Sequence, residues 1–257
     1  MPRLLLALGL LSLVVAGCHP SPPRRAPFQL ETCGITLAVH STDRPGPAFL
    51  VLHENERTAV EAGLETIRAR GGRLVAVEGQ GRRLVTLEVE GERWRFDPNR
   101  IFTEAGAEAT LVEYNGSAPL TVLAEVRGLA EAILAAYGID QGEPILALHN
   151  NTEGEYSAAS YLPAGELASD ASAVHLPSET DPDDFFFVTE PGLYAALSAK
   201  GFPVVLQDNS RVTDDGSLSV WAGRQGIPYV NVEAEHGHRE RQLEMLEALA
   251  RVLDGLL

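Results

Sequence analysis

Apolar positions along the chain fall into two rhythms, short unbroken or alternating runs and longer stretches spaced by threes and fours, the signatures of strands and amphipathic helices. Phe28 to Val39, rich in alternating and β-branched residues, predicts a strand, and Asp43-Arg44-Pro45-Gly46 turns it into the apolar run Ala48 to His53, a second strand. Val60, Leu64 and Ile67 then recur at helical spacing from Arg57 to about Arg70, where Gly71-Gly72 ends the helix. Arg73 to Glu78 and Leu84 to Phe96 read as two arms of a hairpin around Gly79-Gln80-Gly81, stopped by Pro98. A helix capped near Ser117 and Pro119 runs to about Tyr137, with Leu123, Ala130, Ile133 and Tyr137 on one face. Pro144 to His149 repeats the pattern of Ala48 to His53 and again ends in histidine.

The second half continues in the same alternation. Asn150 to Ser157 is a polar loop, Ser172 to Leu176 and Phe185 to Thr189 are strands with an acidic linker between them, and Pro191 to Lys200 is a short helix. Pro203 to Gln207 is a strand, Asp208 to Ser219 a loop, Ile227 to Glu235 a strand, and Arg239 to Leu256 an amphipathic helix carrying Leu243, Leu246, Ala250 and Leu253. With no repeat and no second linker, the pattern predicts a single α/β domain over residues 28–257, a three-layer α/β/α arrangement around a central mixed sheet.

The amino terminus stands apart. Arg3 precedes an apolar run from Leu4 to Ala16, shorter than the roughly 20 residues a membrane-spanning helix needs, so residues 1–17 are expected to be a secretory signal. Val15-Ala16-Gly17-Cys18 resembles the lipobox of bacterial lipoproteins, which implies cleavage before Cys18 and lipid on its sulfur. The mature chain would then hang from a membrane by a flexible tether over residues 18–27, too rich in Pro and Arg to fold. His19 after the cysteine, rather than Asp, implies the outer membrane, facing the periplasm. Cys33 is left without a disulfide partner and is expected to be a buried small residue. A formal net charge of -16 excludes nucleic acid or an anionic membrane surface as a charge-driven partner. The chain is expected to act as a monomer.

Candidate chemistry collects at strand ends, where open α/β sheets bind ligands. His53 and Glu56 are of zinc-ligand type, although the pair alone reads equally well as a strand-end histidine and a first-turn glutamate. His149 ends its own strand, Asp97-Pro98-Asn99-Arg100 follows another, and Glu233 and Glu235 share one face at the end of a third. Arg100 offers a fork for a carboxylate and Asn99 a neutral donor. Arg93 and Arg95 alternate onto one strand face, and His236-Gly237-His238 could hold a metal or cap the last helix.

The order His-x-x-Glu, Asp-x-Asn-Arg, strand-terminal His and strand-terminal Glu resembles the zinc carboxypeptidase superfamily, with its succinylglutamate desuccinylase and aspartoacylase relatives, over about Ala48 to Glu235. Asp215-Gly216-Ser217, Trp221 and Gly226-Ile227-Pro228-Tyr229 fit the peptidase branch, and Asn99-Arg100-Ile101-Phe102 the aspartoacylase branch. The resemblance implies a phosphorylase/hydrolase-like fold and one zinc per chain, held by His53, Glu56 and His149. It implies Glu233 as general base, with Glu235 its alternate, and Asn99 and Arg100 as the substrate-carboxylate clamp. Arg93 or Arg95 would polarise the substrate carbonyl. The substrate implied is a peptide, including peptidoglycan stem peptides, cleaved by a metallocarboxypeptidase. The alternatives are an N-acylated amino acid, cleaved by a deacylase, and a binding lipoprotein without catalysis. Three departures bear on this: Val212 stands where the peptidases carry a mobile tyrosine, Pro98 replaces a leucine, and the chain is short.

Overall fold

A computed structural model describes residues 23–29, 35–139 and 143–255. In chain order these form β1 (Arg24–Gln29), β2 (Thr36–Ser41), β3 (Ala48–Val51), α1 (Arg57–Arg70), β4 (Arg73–Glu78), β5 (Val85–Val89), β6 (Glu92–Phe96), α2 (Glu104–Asn115), α3 (Leu120–Tyr137) and β7 (Ile145–Asn151). They continue with β8 (Ala171–His175), β9 (Phe185–Val188), α4 (Pro191–Ser198), β10 (Val204–Gln207), α5 (Leu218–Gln225), β11 (Tyr229–Glu235) and α6 (Arg239–Asp254). Among the described residues nine strands make one mixed sheet in the order β1-β2-β4-β3-β7-β11-β9-β10-β8, and β5 and β6 make a separate two-stranded ribbon.

The centre of the sheet explains why its strands read as unbroken apolar runs. β4, β3, β7 and β11 are mutually parallel neighbours, covered on both faces, so every residue of β7 is buried. Phe49, Val51, Leu146, Leu148, Val230 and Val232 point to the face covered by α1, α4 and α6. Leu50, Ile145, Ala147 and Tyr229 point to the other, covered by α2, α3, α5 and the ribbon. The three-layer α/β/α architecture follows. Because β3, β7 and β11 are adjacent and parallel, their carboxyl ends open at one edge. A buried amide network braces that edge from behind: Asn150 Nδ2 donates to Gln242 Oε1 at 3.2 Å, and Gln242 Nε2 donates to the carbonyls of His149 and Val232, both at 3.1 Å.

Several local expectations change. Arg24–Gln29 pair antiparallel with β2, so the carboxyl part of the expected tether is strand, and the single strand expected from Phe28 to Val39 is replaced by β1 and β2. Cys18, Cys33 and the signal lie outside the described residues. Gly79-Gln80-Gly81 is not a hairpin turn, because β4 belongs to the main sheet while β5 pairs with β6. The hairpin turns instead at Glu90-Gly91, where positive φ at both residues (55° and 83°) matches the tight turn that right-twisted strands require. Ser117 does not cap α3, which starts after Pro119 with no side-chain cap. The sequence pattern also passes over α2 and α5. α2 buries Gly106, Ala107, Thr110 and Leu111, too small and mixed a set to show an apolar stripe. α5 is announced only by Ser217, whose side chain accepts from Val220 N. No helix among the described residues is long and apolar enough to cross a membrane.

Candidate metal centre

β3 ends at Val51, and two residues later the chain turns so that Glu56 N donates to the His53 carbonyl at 3.1 Å and α1 begins. This one-turn reversal sets the His53 and Glu56 side chains face to face. His149 comes in from β7, beside β3. Nδ1 of His53 lies 2.8 Å from Glu56 Oε1, and Nδ1 of His149 lies 3.0 Å from Glu56 Oε2, so both imidazoles converge on one carboxylate. One ligand atom from each of the three lies within 4.8 Å of the others, and all three residues are buried.

Two imidazole nitrogens and a carboxylate oxygen are the donor set of a borderline cation such as zinc, and three protein ligands leave a coordination position open. The outer contact of His53 fits as well. The far nitrogen of His53, Nε2, lies 2.7 Å from Asp97 Oδ1, the carboxylate partner that orients a ligating histidine. His149 Nε2 is buried with no partner among the described residues, so this ring lacks the outer contact that His53 has. The group could therefore hold a metal ion.

The charges respond to this crowding. Burial alone would lower His53, but Glu56 and Asp97 outweigh it and bring the imidazole up to about 9. Burial would raise Glu56, yet His53 and His149 pull it down to about 2. Asp97 is held below the usual carboxylate range, against its burial, by His53 and then Arg83 and Arg100. His149 is lowered by burial, which outweighs the pull of Glu56.

The three residues sit in the floor of a cleft of about 480 Å³, whose lining also includes Arg83, Asn99, Arg100 and Glu233. Glu233, on β11 opposite His149, is buried, with Asn231 Nδ2 donating to it at 2.8 Å. Burial, reinforced by the negative charge of Glu56, pushes its carboxyl up to about 8. Glu235 turns away: it does not line the cleft and groups with Asp181 and His238. His238 is taken up by Asp184 at 3.0 Å and Glu235 at 3.5 Å, while His236 lines the cleft, so the His-x-His pair does not act as a unit.

Asp97 also ties the clamp to the metal group, since its Oδ1 accepts from Asn99 N at 2.8 Å while facing His53. Pro98 starts the short turn Pro98–Arg100 that carries both clamp residues. Asn99 Oδ1 accepts from Leu218 N at 3.1 Å, leaving its amide NH2 as donor. Arg100 Nη2 lies 3.5 Å from Asp215 Oδ2. The clamp is held by close backbone contact: a Cβ on Gly106 would lie 2.1 Å from Gly216 Cα and 2.9 Å from the Arg100 carbonyl oxygen.

Arg93 is not part of this assembly. It and Arg95 are exposed on the ribbon and absent from the cleft lining, because their strand face looks outward while Trp94 and Phe96 face the core. The arginine beside the metal group is Arg83, whose Nη1 lies 3.2 Å from Glu56 Oε1 and Nη2 3.3 Å from Asp97 Oδ2. It follows the Gly79–Gly81 turn, which is pinned by Glu54: Oε2 accepts from Gly79 N at 3.0 Å, from Gln80 N at 2.5 Å and from Gly81 N. Nothing periodic marks Arg83 in the sequence. A glycine-flanked loop next to Glu54 is the one local hint. Asp97 carried a signal, as the first residue of Asp-x-Asn-Arg, but its bond to His53 spans 44 positions.

No family model and no curated protein matches the chain. Among solved structures, it resembles a putative metallopeptidase of Shewanella denitrificans at 15% identity, covering 90% of this chain and 82% of that one, with a TM-score of 0.41. Similar values relate it to counterparts from Shewanella amazonensis (15% identity, 86% and 82% covered, TM-score 0.42) and Shewanella baltica (12%, 91% and 84%, 0.40). A likeness of this depth assigns neither a family nor a chemistry to the chain.

Proposed function

We propose that this chain is a metal-dependent hydrolase that cleaves an amide bond next to a free carboxylate, with zinc as its metal and peptides of the cell envelope, including peptidoglycan stem peptides, as its substrates. The observation that carries the reading is the convergence of His53 Nδ1 and His149 Nδ1 on the Glu56 carboxylate in the floor of a cleft that also presents Arg100 and Glu233. His53, Glu56 and His149 would hold the ion, which in such sites lowers the pKa of water and polarises a carbonyl. Asp97 keeps His53 in the orientation that turns Nδ1 inward. Arg100, with the Asn99 amide beside it, takes the substrate carboxylate and fixes the adjacent amide over the floor. Glu233, on β11 opposite His149, accepts a proton from the attacking water and returns it to the leaving amine. Arg83, 3.2 Å from Glu56, takes the carbonyl-polarising role that the family resemblance implies for Arg93 or Arg95. The lipobox-like Val15 to Cys18 supports a chain anchored by lipid on Cys18 in the outer membrane, where envelope peptides are within reach.

The test is metal content and turnover on a panel of short peptides and N-acylated amino acids. One zinc per chain and chelator-sensitive release of a carboxyl-terminal residue are expected. Cleavage of the N-acylated amino acids alone would make the protein a deacylase. Zinc bound with no turnover on any member would refute hydrolysis and leave a binding protein.

A further inference from the structure

Two tyrosines line the cleft and take no part in the functions assigned above. Tyr156 lies in the segment after β7, and Tyr161 closes the short turn Ala158–Tyr161. Their hydroxyls are 2.7 Å apart, and neither has another hydrogen-bond partner among the described residues. Two phenols carry two protons, and one is consumed between them. The other has no protein acceptor, although the rings are held in place. Tyr156 packs edge-on against Phe185 with centroids 5.4 Å apart, and Tyr161 packs on Phe187 at 5.3 Å. Asn151 Nδ2 donates to the Tyr156 carbonyl at 2.9 Å, anchoring the segment to the strand that carries His149. A preorganised donor aimed into a polar cleft is a ligand-binding feature.

We propose that the Tyr156–Tyr161 pair is a fixed hydrogen-bond donor to the substrate's carboxylate, with Tyr161 donating to Tyr156 and Tyr156 donating to the ligand beside Arg100. Tyr156 takes the outer role because it is half-buried whereas Tyr161 is buried. Arg100 and Glu233 line the same cleft as the pair. Burial holds both phenols protonated through any working pH. Asp215 already shares Arg100, so a neutral donor adds attraction for an incoming carboxylate without adding charge.

The inference rests on the carboxylate-clamp reading and is tested separately from catalysis. Calorimetric titration of the metal-loaded Glu233→Gln protein with N-acetylglycine and with N-acetylglycinamide compares ligands that differ only in the carboxylate. Tyr156→Phe is expected to weaken the acid by about tenfold, on the order of 1.4 kcal/mol, and to leave the amide unchanged. Tyr161→Phe, which removes only the donation into Tyr156, weakens the acid by about two- to threefold. In the protein with native Glu233, Tyr156→Phe raises KM with little change in kcat. Equal loss for acid and amide, no loss for either, or failure of the acid to bind overturns the proposal, even if the protein hydrolyses its substrate. An acid-specific loss in Tyr156→Phe, in a protein whose native form shows no turnover, would uphold the tyrosine pair and overturn the hydrolase reading instead. Thermal melts of both Phe variants guard against a general packing loss.

Discussion

Replacing Asp97 with asparagine removes one charge and almost no volume from beneath the metal group. Its Oδ1 stands 2.7 Å from His53 Nε2 and accepts from Asn99 N at 2.8 Å, and its Oδ2 faces Arg83 at 3.3 Å. The amide oxygen of asparagine can still accept from both nitrogens, so the ring keeps its orientation. What is lost is the charge-assisted part of a buried hydrogen bond, roughly 1.5–3 kcal/mol reduced to about 1. A difference of about 0.5–2 kcal/mol corresponds to about two- to thirtyfold in zinc affinity, overlapping the range expected when an outer partner of a ligating histidine is altered. Competition with a chromophoric chelator at fixed pH measures it. Asp97→Ala should cost more, because Nε2 is then buried without a partner and Asn99 loses its acceptor. An affinity for zinc unchanged within twofold in a folded Asp97→Asn protein would refute the charge-assisted contribution of Asp97, and an equally unchanged Asp97→Ala protein would refute its orienting role.

Glu233→Gln should lower kcat by about two to four orders of magnitude with KM nearly unchanged, and an intact rate on the best substrate of the panel would remove Glu233 from the mechanism. Arg100→Ala should raise KM for carboxylate-bearing substrates by about tenfold or more, whereas Arg93→Ala, at an exposed position outside the cleft, should change neither the rate nor the stability by more than about 0.5 kcal/mol. The metal-free protein should lose stability as pH rises from about 6.5 to 9; below 6.5 His149, lowered by burial, gains stability with pH and offsets Glu233. His53, raised to about 9, contributes fully below its unfolded value of 6.5 and loses that contribution as pH passes 9, and Glu233, raised to about 8, favours the fold below 4.5 and opposes it as pH climbs. Glu56, lowered to about 2, works in the opposite direction and matters only in acid. Urea unfolding in chelator across that range should show the decline, at most about 1.4 kcal/mol per pH unit for each proton, and Glu233→Gln should flatten its lower part. A profile flat from pH 6.5 to 9 would contradict both shifts.

The sequence by itself determined the central strands of the sheet and the candidate ligands. Strands buried on both faces must be continuous apolar runs, so AFLV and ILALH could be read directly, and the polar residues that follow such runs had to lie at the strand ends. His53, Glu56 and His149 were legible for that reason, as was Glu233 on its alternating strand. Tertiary structure decided everything set by sequence-distant contacts. Glu235 shares the strand face of Glu233 on paper, but the chain turns toward α6 there and sends it to Asp181 and His238. Arg93 alternates correctly along a strand, yet that strand belongs to a separate ribbon and its outer face meets solvent. Arg83, Asp97 and Tyr156 reach the cleft from loops, where no periodicity encodes direction and only packing aims a side chain. The opening run AFLVLHENE thus determined where a metal group could form, and three distant segments decided what surrounds it.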